Sequence, residues 1–135
     1  MSGALVEGHF SFSDQQSMTV ALAMLRQRLL ELELSELLVS RPMTVSSELS
    51  VNVLKYANRG TLSLRQLEES RKRGVEISLV DDGPGIEDVE QAMQDHYSSK
   101  GTLGLGLPGV KRMVDELRVE TEVGKGTRVY ATVWI

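Results

Sequence analysis

With 135 residues, 41% of them hydrophobic and 25% charged, the chain has the make-up of one globular domain spanning residues 1–135. A net charge of −4 and a pI near 5.2 argue against nucleic acid as a partner, which calls for a basic face. The absence of cysteine removes disulfide and thiolate chemistry and suits a cytoplasmic protein. No apolar run reaches the ~20 residues of a membrane span, and residues 1–12 lack the basic start and apolar stretch of a signal peptide.

In chain order, Leu5 to Phe12 predicts a strand with Phe10 and Phe12 on one face and His9 and Ser11 on the other. Ser13 is expected to cap the first helix, with Gln16 completing a capping box. Met18, Leu22, Leu25, Leu29 and Leu32 then form one apolar stripe at alternating spacings of three and four. Residues 35–39 are ambiguous. Pro42 is expected to open the second helix, because its missing N–H is not needed there. Val45, Leu49, Val53 and Tyr56 make its buried stripe, with Glu48, Asn52 and Lys55 in a line beside it, and it stops near Asn58-Arg59-Gly60. Thr61–Leu67 and Val75–Asp81 predict paired strands joined by a charged turn around residues 70–74.

Ile86, Val89 and Met93 suit a short helix, and Leu107, Val110, Val114 and Leu117 a longer one. Val119–Val123 and Thr127–Ile135 complete the strands, turning at Gly124-Lys125-Gly126. Strands in one layer and helices in the other make an α/β (α+β) two-layer sandwich. In the last strand, Val129, Ala131, Val133 and Ile135 are expected to face the helices. Tyr130 and Trp134 then point to the open face, where they would anchor a partner, contact a second copy in a homodimer, or simply shield the sheet.

Three stretches carry the chemistry. Glu48 and Asn52 lie four apart on a helix, so their side chains stack on one face. An amide oxygen is a hard ligand for Mg²⁺, and a carboxylate one turn away can accept a proton from an attacking hydroxyl. A solvated polar stripe would look the same. Asp81 ends an apolar strand and enters Asp82-Gly83-Pro84-Gly85, where glycine allows close approach of a ligand and the carboxylate can accept the exocyclic amine of adenine. A plain tight loop accounts for the Gly and Pro equally well. Gly101, Gly104, Gly106 and Gly109 lead into a helix whose first amides favour phosphate. Ser99 and Lys100 stand just before it, where a hydroxyl and a cation would meet a terminal phosphate. The match of residues 104–109 to G-x-G-x-x-G is not a dinucleotide fingerprint, since residues 94–100 are polar and unlike a buried strand.

Taken together these residues resemble a family. Glu48-x-x-x-Asn52 looks like the N box of the GHKL ATPases, the superfamily of gyrase, Hsp90, histidine kinases and MutL. Asp81-x-Gly83-x-Gly85 and Gly104-x-Gly106 look like its two glycine boxes, and Gly126-Thr127 like its Gly-Thr element. The resemblance runs from about residue 40 to 135 and implies the Bergerat, or histidine-kinase-like, ATPase fold. Within it, Gly104-Leu105-Gly106-Leu107-Pro108-Gly109-Val110-Lys111-Arg112 is similar to the RsbT type of stand-alone switch kinase of stressosomes. The anti-sigma factors SpoIIAB and RsbW share the boxes but usually lack the Leu-Pro-Gly-Val-Lys-Arg run.

The resemblance implies ATP and Mg²⁺ as cofactors, with Glu48 as general base and Asn52 as the Mg²⁺ ligand. It implies that Asp81 binds adenine, supported by Gly85 and Thr127, that Gly104 and Gly106 hold phosphates, and that Gly83, Ile86, Ser99, Lys100, Gly101, Leu103 and Leu105 also belong to the nucleotide site. Residues 88–100 would form a short ATP lid, so modest affinity without a partner is expected. The implied partners are a STAS-domain protein, phosphorylated on Ser or Thr, and then a PPM-type phosphatase. An anti-sigma factor or a non-catalytic ATP-gated module is the alternative. A detached histidine-kinase domain is disfavoured because the chain leaves no room for a phosphoacceptor hairpin.

Overall fold

The structure, a computed structural model, describes residues 5–83 and 107–135. The first strand, β1 (Glu7–Phe12), turns Phe10 and Phe12 into the core and leaves Glu7, His9 and Ser11 exposed. Helix α1 (Gln15–Leu30) follows. Its cap is Asp14, one residue beyond the expected Ser13, and the reciprocal partner is Ser17 rather than Gln16. The Asp14 carboxylate accepts the Ser17 amide at 2.7 Å while Ser17 Oγ accepts the Asp14 amide at 3.1 Å. The Ser17 amide and hydroxyl hold the Asp14 carboxyl below its ordinary 3.8. Aspartate and serine both cap well, so the sequence pattern alone left the register one residue loose. Met18, Leu25, Leu29 and Leu32 are buried as the stripe requires, with Leu22 partly buried beside them.

Helix α2 (Glu36–Tyr56) starts six residues before the expected Pro42, capped by Ser35. Pro42 therefore lies inside the helix, where it cannot donate to the carbonyl four residues back. The helix tolerates the loss because its Pro42 face is buried, together with Val39, Val45, Leu49 and Val53. Tyr56, expected in this stripe, is instead 38% exposed at the helix end.

Strands β2 (Gly60–Glu69) and β3 (Lys72–Asp81) are longer than expected and meet in a two-residue turn, with Ser70 at φ 55°. Helix α3 (Leu107–Met113) follows the glycine-rich stretch but ends at Met113. The expected continuation through Val114 and Leu117 is replaced by strand β4 (Glu116–Glu122), in which Leu117 and Val119 alternate with charged residues. Strand β5 (Gly126–Trp134) returns antiparallel to both β4 and β3. The expected helix over Ile86, Val89 and Met93 lies outside the described residues.

Among the described residues, five strands form one antiparallel sheet in the order β1-β2-β3-β5-β4. Helix α1 packs on β1 and β2, α2 on β2 and β3, and α3 against α2. The described helices thus cover one face, and the core between the layers is built from Leu25, Leu29, Leu62, Leu64, Ile77, Leu79 and Val110. This is the two-layer sandwich expected from the sequence. The other face is polar. One row across it reads His9, Ser63, Ser78, Tyr130 and Arg118. Strand β4 forms one border of the sheet, with Glu116, Arg118, Glu120 and Glu122 exposed.

The predicted facing of β5 holds: Val129, Ala131 and Val133 are buried, while Tyr130 and Trp134 lie half-buried on the open face. Both aromatics already carry a cation from their own sheet. The Arg118 guanidinium lies 4.2 Å from the centre of the Tyr130 ring, and the Lys72 ammonium 5.8 Å from that of Trp134. The Trp134 ring also lies across Gly74, where a Cβ would stand 2.6 Å from Cε3. Ile135, expected with the core set, is 38% exposed. Among the described residues, no helix is long and apolar enough to cross a membrane.

Candidate functional site

The site forms where β3 ends beside the start of β5 and the end of α2. Asp81 is the last residue of β3 and is half-buried. Its Oδ1 accepts the Gly83 amide at 2.8 Å and the Thr127 amide at 3.2 Å. The first bond closes the turn and the second ties it to β5. One oxygen is thus committed to the protein's own backbone, and Oδ2 makes neither of these bonds. Thr127 is buried, and its hydroxyl is 3.0 Å from that of Thr121 on β4.

Gly126 makes this approach possible. It sits at φ 102°, and a Cβ there would overlap the carbonyl oxygen of Asp81. Gly126→Ala is therefore expected to push the start of β5 away from Asp81. Backbone strain alone costs ~1–3 kcal/mol at such a position. The melting temperature should fall by roughly 4 °C per kcal/mol in a chain of this size. Thermal unfolding and nucleotide titration of the variant check this, and a variant that matches the parent in both removes Gly126 from the site.

Glu48 and Asn52 are half-buried on α2, one turn apart beside the buried Leu49 and Val53. Lys55 continues their line to the helix end. There Lys55, Tyr56, Ala57 and Asn58 form an open cleft with Asp82 and Gly83. Gly83 fits tightly against this end, since a Cβ on it would stand 3.0 Å from both Ala57 Cβ and the Tyr56 carbonyl oxygen. The structure thus brings Asp81, Gly83 and Thr127 together and docks them on the helix that bears Glu48 and Asn52. The expected Gly85, Ile86, Ser99, Lys100, Gly101, Leu103, Gly104, Leu105 and Gly106 lie outside the described residues.

Among the described residues, no group of three or more His, Asp or Glu side chains is placed to hold a metal ion. The donor set still fits Mg²⁺, which usually takes one or two protein ligands and the oxygens of substrate phosphates. The sequence did not single out Asp82, Asn58 or Arg59. The doubled Asp81-Asp82 was the available signal, since neighbouring carboxylates at a strand end point to opposite sides.

Residues 38–135 match the sequence family described as histidine kinase-, DNA gyrase B- and HSP90-like ATPase. The chain is 41% identical over 96 residues to the serine/threonine-protein kinase RsbT of Bacillus subtilis, covering 71% of this chain and 72% of that one. It is 36% identical over 98 residues to an anti-sigma F factor of Caldanaerobacter subterraneus, covering 68% and 67%. In fold it is similar to the mycobacterial sensor histidine kinase MprB, with a TM-score of 0.54, 23% identity and 71% of each chain covered.

Proposed function

Because the chain belongs to the histidine kinase-, DNA gyrase B- and HSP90-like ATPases, we propose that it transfers the γ-phosphoryl group of ATP to a Ser or Thr of a STAS-domain protein. It then exchanges that partner for a PPM-type phosphatase. The chain is a protein serine/threonine kinase, the class of its 41%-identical relative. The observation that supports this reading is the docking of the Asp81 turn on the end of α2, which joins the proposed base-binding residue to the helix that bears the proposed chemical ones.

In this reading Asp81 Oδ2 accepts the exocyclic amine of adenine while Oδ1 stays bound to the Gly83 and Thr127 amides. Glu48 accepts the proton of the attacking hydroxyl. A bond forms between that oxygen and the γ-phosphorus as the bond to the β,γ-bridging oxygen breaks, and ADP leaves. Asn52 would hold Mg²⁺, which when bound neutralises charge on the phosphates. Gly104 and Gly106, with Ser99 and Lys100, would line those phosphates by family resemblance.

An anti-sigma factor is the second reading, favoured by the 36% identity to an anti-sigma F factor. The run Leu107-Pro108-Gly109-Val110-Lys111-Arg112 and the higher identity to the switch kinase favour the first. Capture from native lysate with and without Mg-ATP, followed by phosphosite mapping, separates the two. A STAS-domain protein newly phosphorylated on Ser or Thr supports the kinase reading. A sigma factor held without phosphorylated partners overturns it.

A further inference from the structure

Asp81 and Asp82 are adjacent and chemically identical, yet their carboxylates are bound on opposite sides. Asp81 binds the turn and β5. Asp82 reaches the connection between α2 and β2: its Oδ1 accepts the amides of Asn58 and Arg59, each at 3.2 Å. Its Oδ2 accepts Nε of Arg59 at 3.3 Å. Three hydrogen bonds to residues more than twenty positions away thus converge on one carboxylate. The contact lies one residue beyond Asp81 and two beyond Tyr56, the last residue of α2.

We infer that Asp82 is a positioning residue that couples the adenine-binding turn to the end of α2. Through it, nucleotide held at Asp81 sets the placement of the helix carrying Glu48 and Asn52. The inference rests on the proposed reading of those residues. Several observations fit the coupling. The carboxylate is 40% exposed, so it is not a core group retained for packing alone. Burial raises its pKa, but the amides of Arg59 and Asn58 and the Arg59 side chain outweigh this and hold it below its ordinary 3.8. It is therefore ionised at neutral pH, and hydrogen bonds to a charged acceptor are the stronger kind. Gly83, the next residue, packs against Ala57 and the Tyr56 carbonyl, so turn and helix end already touch. The Asp82 bonds fix the register of that contact, which packing of small groups alone would leave free to slide.

The test measures amide hydrogen exchange at Asn58 and Arg59 with and without Mg-ADP, together with ADP affinity and transfer to the STAS-domain substrate. In the parent, Mg-ADP is expected to slow exchange at both amides. In Asp82→Ala, that slowing should vanish, ADP affinity should change by less than about 3-fold, and the transfer rate at saturating ATP should fall about 10- to 100-fold through misplacement of α2. Asp82→Asn keeps an oxygen that can accept both amides and should restore the slowing. Arg59→Ala, which removes only the side-chain bond, should retain most of it. Exchange in Asp82→Ala that still responds to Mg-ADP as in the parent would overturn the coupling. So would loss of ADP binding in step with the transfer rate, which marks a merely structural residue. A parent that binds Mg-ADP but phosphorylates nothing would overturn the kinase reading, while the exchange data still decide whether Asp82 couples turn and helix.

Discussion

Replacing Glu48 with alanine is expected to leave nucleotide binding near its parent level while cutting phosphoryl transfer by about 10²–10⁴-fold, the range for loss of a general base. The split follows from placement. Glu48 lies on α2 two turns before Lys55 and the cleft beside the Asp81 turn, about 10 Å along the helix from that end at 1.5 Å per residue. It is therefore away from where the base is proposed to sit. Asn52, one turn nearer the turn, should behave differently: Asn52→Ala should weaken the Mg²⁺ dependence of nucleotide binding as well as transfer. Single-turnover transfer of labelled phosphate to the proposed STAS-domain substrate, paired with calorimetry over a Mg²⁺ series, makes the comparison. Transfer that survives Glu48→Ala would assign the proton to another group.

Asp81→Asn is expected to weaken ATP binding by about 5- to 150-fold, since a charged hydrogen bond left unpaired in a partly buried site costs ~1–3 kcal/mol. The substitution separates the two duties of the side chain. Its retained oxygen can still accept the Gly83 and Thr127 amides, so the turn and the start of β5 should keep their form. The new amide group would face the adenine amine donor to donor. The melting temperature without nucleotide should therefore change little while affinity falls. Equal ATP affinity in parent and variant would remove Asp81 from the adenine contact. A large loss of stability instead would show that its backbone bonds depend on the full charge.

Much of this could be read from the chain because each signal was local. Alternation in Val75, Ile77 and Leu79 gave β3 its buried face, and the spacing of Glu48 and Asn52 placed them on one side of α2. Where the reading failed, a local rule was satisfied in two ways. Ser13 and Asp14 can both cap, and Pro42 suits a helix start, yet a buried ring within the helix served the packing better. Val114 and Leu117 continue a helical spacing, but Leu117 and Val119 also alternate, and pairing of β4 with β5 decided for strand. The role of Asp82 had no local signature, because its partners at Asn58 and Arg59 are brought to it only by the fold.

The charged border strand bears on whether copies of this protein can add strands to one another's sheets. An unpaired strand offers N–H and C=O groups to any other strand that meets it. On β4 the exposed side chains are Glu116, Arg118, Glu120 and Glu122, three acidic and one basic. Two copies meeting border to border would bring like charges together, which disfavours pairing. Growth of one sheet into a fibre is therefore opposed at this margin before any backbone bond can form.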